Sequence, residues 1–219
     1  MVNIQGYIFD LDGVVVDTAR FHYLAWKETA RELGFELTRE DNERLKGVSR
    51  MESLEIILGL AGIDLDEKQK RAFAQEKNAR YLRWVETLRP SDTLPGVVSY
   101  LRELKEAHKF VALASASQNA RRVIGLLKVD RLFDAVIDGS MIERTKPDPE
   151  IFIKAAQALA LPPERCVVFE DAKNGIEAAK AAGMVAVGIG LPENLGLADC
   201  VIRDFSPVNI EILKRRGIA

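Results

Sequence analysis

The sequence predicts an α/β protein: a parallel sheet covered by helices on both faces, interrupted near its start by an all-helical insertion. Two observations predict it. From about residue 90 onward, short apolar runs alternate with amphipathic stretches, the spacing of right-handed βαβ units. Between about residues 19 and 90 that alternation stops and only helical spacing remains, although one apolar run, Ile4 to Phe9, lies upstream. That first strand therefore belongs with the later ones. Residues 1–15 and 90–219 read as one α/β core, and residues 16–89 as an inserted helical domain.

Ile4 to Phe9 is rich in β-formers and ends in Asp-Leu-Asp-Gly, a buried strand running out into a loop. Phe21, Leu24, Ala25 and Leu33 then recur at helical spacing, with Gly34 as the C-cap. Ser49-Arg50-Met51-Glu52 has the form of a capping box before Leu54, Ile57 and Leu58, so a second helix starts at Ser49. Spaced apolar residues from Asp66 to about Leu88 predict a third, longer helix. After the turn-rich Arg89 to Gly96 come a helix over Val97 to Ala107, a strand at Phe110 to Ala114 and a helix from about Ala120. Ala135 to Ile137 is strand-like, and Asp148 is expected to cap a helix with Pro149 in its first turn. Cys166 to Phe169 reads as a strand, Asn174 to Ala182 as a helix closed by Gly183, and Met184 to Ile189 as a strand.

A chain of 219 residues is long enough for this arrangement, and 47% hydrophobic with 29% charged residues is the balance of a soluble globular protein. A net charge of −2 gives no basic surface for nucleic acid or anionic lipid, so neither is expected as a partner. Cys166 and Cys200 fit no metal-ligand spacing and read as small hydrophobes of a reduced protein. No secretory signal and no apolar run of membrane-spanning length is visible, which makes the cytoplasm the expected location. The composition permits a monomer. His108 and the charges around it, Glu103, Lys105, Glu106 and Lys109, read as a solvated helix face and loop.

In open α/β sheets, ligands bind beyond the carboxyl ends of the strands. Four polar clusters fall there: Asp10 with Asp12, the Ser115-Ala116-Ser117 loop, Lys146, and Glu170 with Asp171. Singly, each is as well explained by a helix cap or a turn. Together they combine carboxylates, a hydroxyl and an ammonium at one edge. Bunched carboxylates repel unless a cation offsets them, and one lysine among four leaves an excess of negative charge. A hard, oxygen-preferring dication such as Mg²⁺ fits, held by Asp10, the Asp12 carbonyl, Asp171 and Glu170, and Mg²⁺ commonly shares its coordination with a substrate phosphate. An aspartate, Asp10, can then attack phosphorus and give an aspartyl-phosphate. If strand geometry persists two residues on, Asp12 lies on the same side and can pass a proton to or from the substrate oxygen. Ser115 and Lys146 would hold the phosphoryl oxygens.

At these residues the chain resembles the haloacid dehalogenase superfamily. The motifs Phe9-Asp-Leu-Asp-Gly-Val-Val-Val-Asp-Thr18, the Ser115 loop, Lys146-Pro-Asp-Pro149 and Glu170-Asp171 occur in that family's order over nearly the whole chain. The resemblance implies a Rossmann-like parallel core with a helical cap, a Mg²⁺ cofactor and Asp10 as nucleophile. Dehalogenases lack a second aspartate at the position of Asp12, so its presence points to the phosphate-handling branch.

The helical insertion is similar to the caps of the superfamily's sugar-phosphate mutases, at Asp17-Thr18, His22, Trp26, Lys46-Gly47-Val48-Ser49-Arg50-Met51-Glu52-Ser53 and Lys77-Asn78, matched in the core by Ala114-Ser115-Ala116-Ser117-Gln118-Asn119. This likeness implies interconversion of β-D-glucose 1-phosphate and D-glucose 6-phosphate through a β-glucose 1,6-bisphosphate. It also implies that Arg50 and Ser117 to Asn119 grip the phosphate not being transferred, that Asp12 is the general acid/base, and that His22 supports it. Arg50, in the first turn of a helix, suits a fixed anion through its fork of donors and the helix's own N–H groups. Lys77 and Ser53 are placed to hydrogen-bond sugar hydroxyls. By its residue type alone, Trp26 is as well explained as core, and His22 as a packed or solvent-facing residue. Gln118 departs from the lysine common at its position, which would weaken the grip on the distal phosphate without changing the reaction. The rival readings are a sugar-phosphate phosphatase of the same superfamily and, in another class, a catalytically silent phosphosugar sensor. The sensor would be expected to have lost the nucleophile or a metal ligand, and this chain keeps them.

Overall fold

The computed structural model describes residues 3–218. The chain divides into two compact units, Met1–Asp17 with Arg89–Ala219, and Thr18–Leu88.

The first unit holds β1 (Gly6–Phe9), α5 (Val97–Glu106), β2 (Phe110–Ala114), α6 (Ala120–Leu126), β3 (Ala135–Ile137), α7 (Glu150–Ala158), β4 (Cys166–Glu170), α8 (Lys173–Ala181), β5 (Val185–Ile189), β6 (Cys200–Ile202) and α9 (Pro207–Arg215), the numbering of helices allowing for α1 to α4 in the second unit. The strands form one sheet in the order β3-β2-β1-β4-β5-β6, every pair parallel. Side chains alternate across the strands, so successive residues feed two cores. Ile8, Ala112 and Val168 pack with Ile151, Phe152 and Ala155 of α7 and Ile176 and Ala179 of α8. Tyr7 and Phe9 sit with Phe169, Tyr100 and Phe205; the Phe9 and Phe169 rings are stacked at 4.6 Å between centroids. Cys166 and Cys200 are buried free thiols, and burial pushes the Cys166 thiol up to about 11.

Among its described residues the second unit forms helices joined by turns and no strand: α1 (Ala19–Glu32), α2 (Arg39–Glu43), α3 (Arg50–Ala61) and α4 (Glu67–Val85). Its core gathers Trp26, Ala30, Leu37, Leu54, Ile57, Leu58 and Ala74. Arg80 of α4, 6% exposed, ties α4 to α1: it donates to Thr29 Oγ1 at 3.1 Å and to Glu32 at 2.5 Å, and to Glu76 of its own helix at 2.7 Å. Removing a buried hub strands its partners, although these glutamates are about half exposed and water softens the loss. Arg80→Ala is expected to cost about 2–3 kcal/mol, read as a lower urea midpoint for the helical unit; an unchanged midpoint would show the network to be ornamental.

Several elements differ from the sequence expectation. The strand at Ile4 begins only at Gly6 and the one at Met184 at Val185. Pro149 is the N-cap of α7 rather than its first helical residue, and Asp148 acts by accepting the Glu150 N–H at 2.9 Å. Helix α2, strand β6 and helix α9 were not foreseen. After Phe9 the chain does not stay extended. The N–H groups of Val15 and Val16 turn back to the Leu11 carbonyl at 2.9 and 3.2 Å, and Gly13 at the turn has φ 83°. Asp12 therefore sits at the start of this turn and bridges to Val16.

Candidate active site

The parallel register builds the centre of the site. Phe9 pairs with Phe169, and the Asp10 N–H continues the ladder to the Phe169 carbonyl at 3.0 Å, which sets Asp10 beside Glu170. Lys146, on the loop between β3 and α7, reaches both: Nζ donates to Asp10 Oδ1 at 2.6 Å and to Glu170 Oε2 at 2.7 Å. Lys146 and Glu170 are each 1% exposed. The ammonium also lies 4.8 Å from the Phe152 ring centre. The other Glu170 oxygen accepts the N–H groups of Asp171 and Ala172, both at 3.1 Å.

Asp10, Glu170 and Asp171 each present a carboxylate oxygen within 4.8 Å of the others. Asp12's carboxylate stands outside that trio, and its N–H hydrogen-bonds the Asp10 carboxylate. One lysine does not neutralise three carboxylates. Burial raises the Asp10 carboxyl most, Lys146 opposes, Glu170 adds to the rise, and the outcome is about 7. Burial by itself would lower the Lys146 ammonium, but its two carboxylate partners more than offset that and raise it. An all-oxygen set with surplus negative charge fits a hard dication such as Mg²⁺.

Ser115 follows β2. Its N–H donates to the Ile137 carbonyl at 3.0 Å, its Oγ accepts from the Ser117 N–H at 3.1 Å, and Ser117 Oγ accepts from the Asn119 N–H at 3.2 Å. The loop is wound into two successive serine turns, with Ala116 and Ser117 partly exposed and Gln118 exposed at its crest.

Sequence reasoning missed the supports of these loops. Glu150 accepts the N–H groups of Glu143 and Arg144 at 3.1 and 2.9 Å and pairs with Lys154 at 2.7 Å, which pins the segment leading to Lys146. The Lys154 hydrogen bond first, then those two N–H groups, pull its carboxyl down to about 2. Buried Asp138 holds Ser140 and Arg121 below the Ser115 loop. A Cβ on Gly139 would lie 2.0 Å from the Ala116 carbonyl oxygen. The strand-end position of Asp138-Gly139-Ser140 was the available signal, and it reads equally as a turn.

The remaining expected site residues lie in the helical unit. Thr18 is the N-cap of α1. His22 Nδ1 lies 2.8 Å from Lys77 Nζ, and its ring packs 4.0 Å from that of Tyr81. Burial, then Lys77 and Arg50, hold His22 well below its ordinary range, so it is neutral and accepts from the lysine. Lys77 is 2% exposed and stands 4.6 Å over the Trp26 ring, which itself belongs to the unit's core. Lys46 pairs with Glu43 at 3.0 Å, and Gly47, at φ 77°, turns the chain through Val48 into α3. Ser49 caps that helix by accepting the Glu52 N–H. Arg50 is its first residue, with its pKa lowered by burial. Ser53 turns inward and donates to the Ser49 carbonyl at 2.9 Å, leaving its hydroxyl only as an acceptor toward anything else.

A parallel α/β unit with an aspartate–lysine–glutamate centre beyond its strand ends defines a class of phosphoryl-transfer proteins. The chain belongs to the haloacid dehalogenase-like hydrolase family, which matches residues 4–183. It is 41% identical to the β-phosphoglucomutase of Bacillus subtilis, over 96% of this chain and 94% of that one. A solved β-phosphoglucomutase from Clostridium difficile is similar at 38% identity with a TM-score of 0.94, covering 98% of this chain and 97% of its own. A phosphorylated carbohydrates phosphatase of Thermotoga maritima is 32% identical, over 83% and 82% of the two chains.

Proposed function

We propose that this chain is a phosphomutase interconverting β-D-glucose 1-phosphate and D-glucose 6-phosphate through an aspartyl-phosphate and β-glucose 1,6-bisphosphate. The observation that supports this over a phosphatase is the stronger likeness to the β-phosphoglucomutases, 41% identity over 96% of the chain against 32% over 83% for the carbohydrate phosphatase. The cycle starts from the enzyme phosphorylated on Asp10. Asp12 takes the proton from the 6-hydroxyl of β-glucose 1-phosphate, that oxygen bonds to phosphorus as the bond from phosphorus to Asp10 breaks, and the 1,6-bisphosphate forms. The sugar then turns end for end. Asp10 attacks the phosphorus at position 1 as its bond to the sugar oxygen breaks, and Asp12 gives that oxygen its proton, leaving glucose 6-phosphate and the phosphorylated enzyme. Lys146 and Ser115 hold the phosphoryl oxygens. Asp10, Glu170, Asp171 and the Asp12 carbonyl would hold Mg²⁺, which supplies charge neutralisation at the transferring phosphoryl group. Arg50 and Ser117 to Asn119 bind the phosphate at rest, Thr18 and Lys46 to Ser49 line the helical unit's share of the substrate, and Lys77 and His22 position it. The substrate is the only partner required. No described helix is long and apolar enough to cross a membrane; we place the protein in the cytoplasm, as a monomer.

The test is to supply β-glucose 1-phosphate, Mg²⁺ and a trace of the 1,6-bisphosphate, and to follow glucose 6-phosphate and free phosphate together. Glucose 6-phosphate should dominate. Arg50→Ala should cut isomerisation by roughly 10–100-fold, the loss of a charge-assisted partner, and phosphate release by far less, because hydrolysing a monophosphate gives Arg50 no task. Free phosphate outrunning glucose 6-phosphate in the wild type would replace the mutase with a phosphatase.

A further inference from the structure

We infer that Gly175 is a positioning residue for the metal-binding carboxylates, present because its missing side chain is the seat of Glu170. Gly175 lies in the first turn of α8, where a Cβ would fall 2.0 Å from both Cδ and Oε2 of Glu170 and 2.3 Å from Cγ. No real Cβ contact is that short, so one of the two must give. Glu170 is held at both oxygens, one by Lys146 Nζ at 2.7 Å and the other by the N–H groups of Asp171 and Ala172. The carboxylate thus rests on bare helix backbone. The neighbouring carboxylate is seated the same way: a Cβ on Gly13 would lie 2.2 Å from Asp171 Oδ2.

Glycine inside a helix is disfavoured relative to alanine, so its presence calls for a packing reason. Gly125 of α6 is a contrast: a Cβ there would meet nothing within 4 Å. The three atoms nearest to an added Cβ at 175, Cδ, Oε2 and Cγ, all belong to the Glu170 side chain and none to backbone. The variant therefore relieves the clash by swinging Glu170 away, giving up its hold on Lys146 and its place beside Asp10. The chain would fold, and the carboxylate trio would be displaced.

The inference rests on Glu170 and Asp171 being Mg²⁺ ligands, and calorimetric titration of the full chain with Mg²⁺ alone tests it apart from any turnover. Gly175→Ala is expected to weaken Mg²⁺ binding by roughly 10–100-fold, the usual range for residues that support a metal ligand, with a matching fall in kcat and little change in KM. Gly125→Ala should leave both at wild-type values. In a Glu170→Ala background, which lacks the Cγ, Cδ and Oε2 that the added methyl would meet, the substitution at 175 should cost less than about twofold further, because coupled positions depart from additivity. An equal cost in both backgrounds, or none in either, would overturn the inference. If Gly175→Ala alone fails to fold while the double variant folds, the clash with Glu170 is demonstrated; if neither folds, Gly175 serves the fold and the inference fails. Absence of Mg²⁺ binding by the wild type would remove the metal reading itself.

Discussion

Asp10→Asn is expected to lower turnover by roughly 10⁴-fold or more, the scale on which removal of a nucleophile acts, while the chain keeps its fold and melts no lower than the wild type. The amide cannot attack phosphorus, yet its oxygen can still accept from Lys146 Nζ, which lies 2.6 Å from Oδ1 in the wild type. The stability half of the expectation follows from burial. A carboxyl raised to about 7 in the folded chain, against an ordinary carboxylate value when unfolded, binds its proton more tightly when folded. Its contribution is fully present at low pH and is lost as pH rises toward about 7. Asparagine carries no such term. With the metal chelated, wild-type melting temperature should therefore fall across that window relative to the variant. Mass spectrometry of wild-type enzyme quenched during turnover should place the phosphate on Asp10; phosphate on Ser115 would overturn the mechanism.

The second large effect belongs to Lys146. Lys146→Met fills the same space with an apolar chain and leaves Asp10, Glu170 and Asp171 with oxygens inside 4.8 Å and no resident cation. Breaking a buried ion pair from one side costs about 3–5 kcal/mol, and here two carboxylates lose the same partner. We expect a loss of that size in metal-free denaturation, with part of it restored by Mg²⁺, which can take up the charge. Activity should fall by about 10²–10³-fold, the scale of one lost electrostatic contact to the reacting group, and Mg²⁺ should not restore it. A variant as stable as the wild type without metal would show that the trio does not depend on Lys146.

The parts of the site that carry formal charge were legible before any coordinates, because charge at a strand end has few tasks. Asp10, Glu170 and Asp171 are such residues, and the register of β1 against β4 brings them together, while Lys146 reaches them from the loop before α7. What supports them was not legible. Gly175 looks like a weak point in a helix, and only the position of Glu170 gives it a reason. Glu150 looks like a helix-start acid, and only its hold on the Glu143 and Arg144 N–H groups ties it to Lys146. In the fold, α2 did announce itself through Thr38 and Asp41, whose side chains cap each other's N–H groups, but a five-residue helix that buries no residue shows no apolar period. Strand β6, three residues long at the sheet edge, is too short for alternation to register. The turn that begins at Leu11 was not legible either, since only Gly13, at φ 83°, and the return of Val15 and Val16 to the Leu11 carbonyl reveal it.

The order of strands in the sheet also governs how the molecule is assembled. β1 precedes the other strands of this sheet in the chain, yet it lies inside the sheet, with Gly6 paired to Phe110 on one side and Cys166 on the other. Both partners leave the ribosome long after it. Thr18–Leu88 comes next and draws its contacts from near in the chain, so it can collapse while β1 still has two open edges. Pairing across so long a loop is slow to form. The strand that leads to Asp10 is therefore the one of this sheet left unpaired the longest, and the apolar Gly6–Phe9 is what chaperones would have to shield until β2 and β4 arrive.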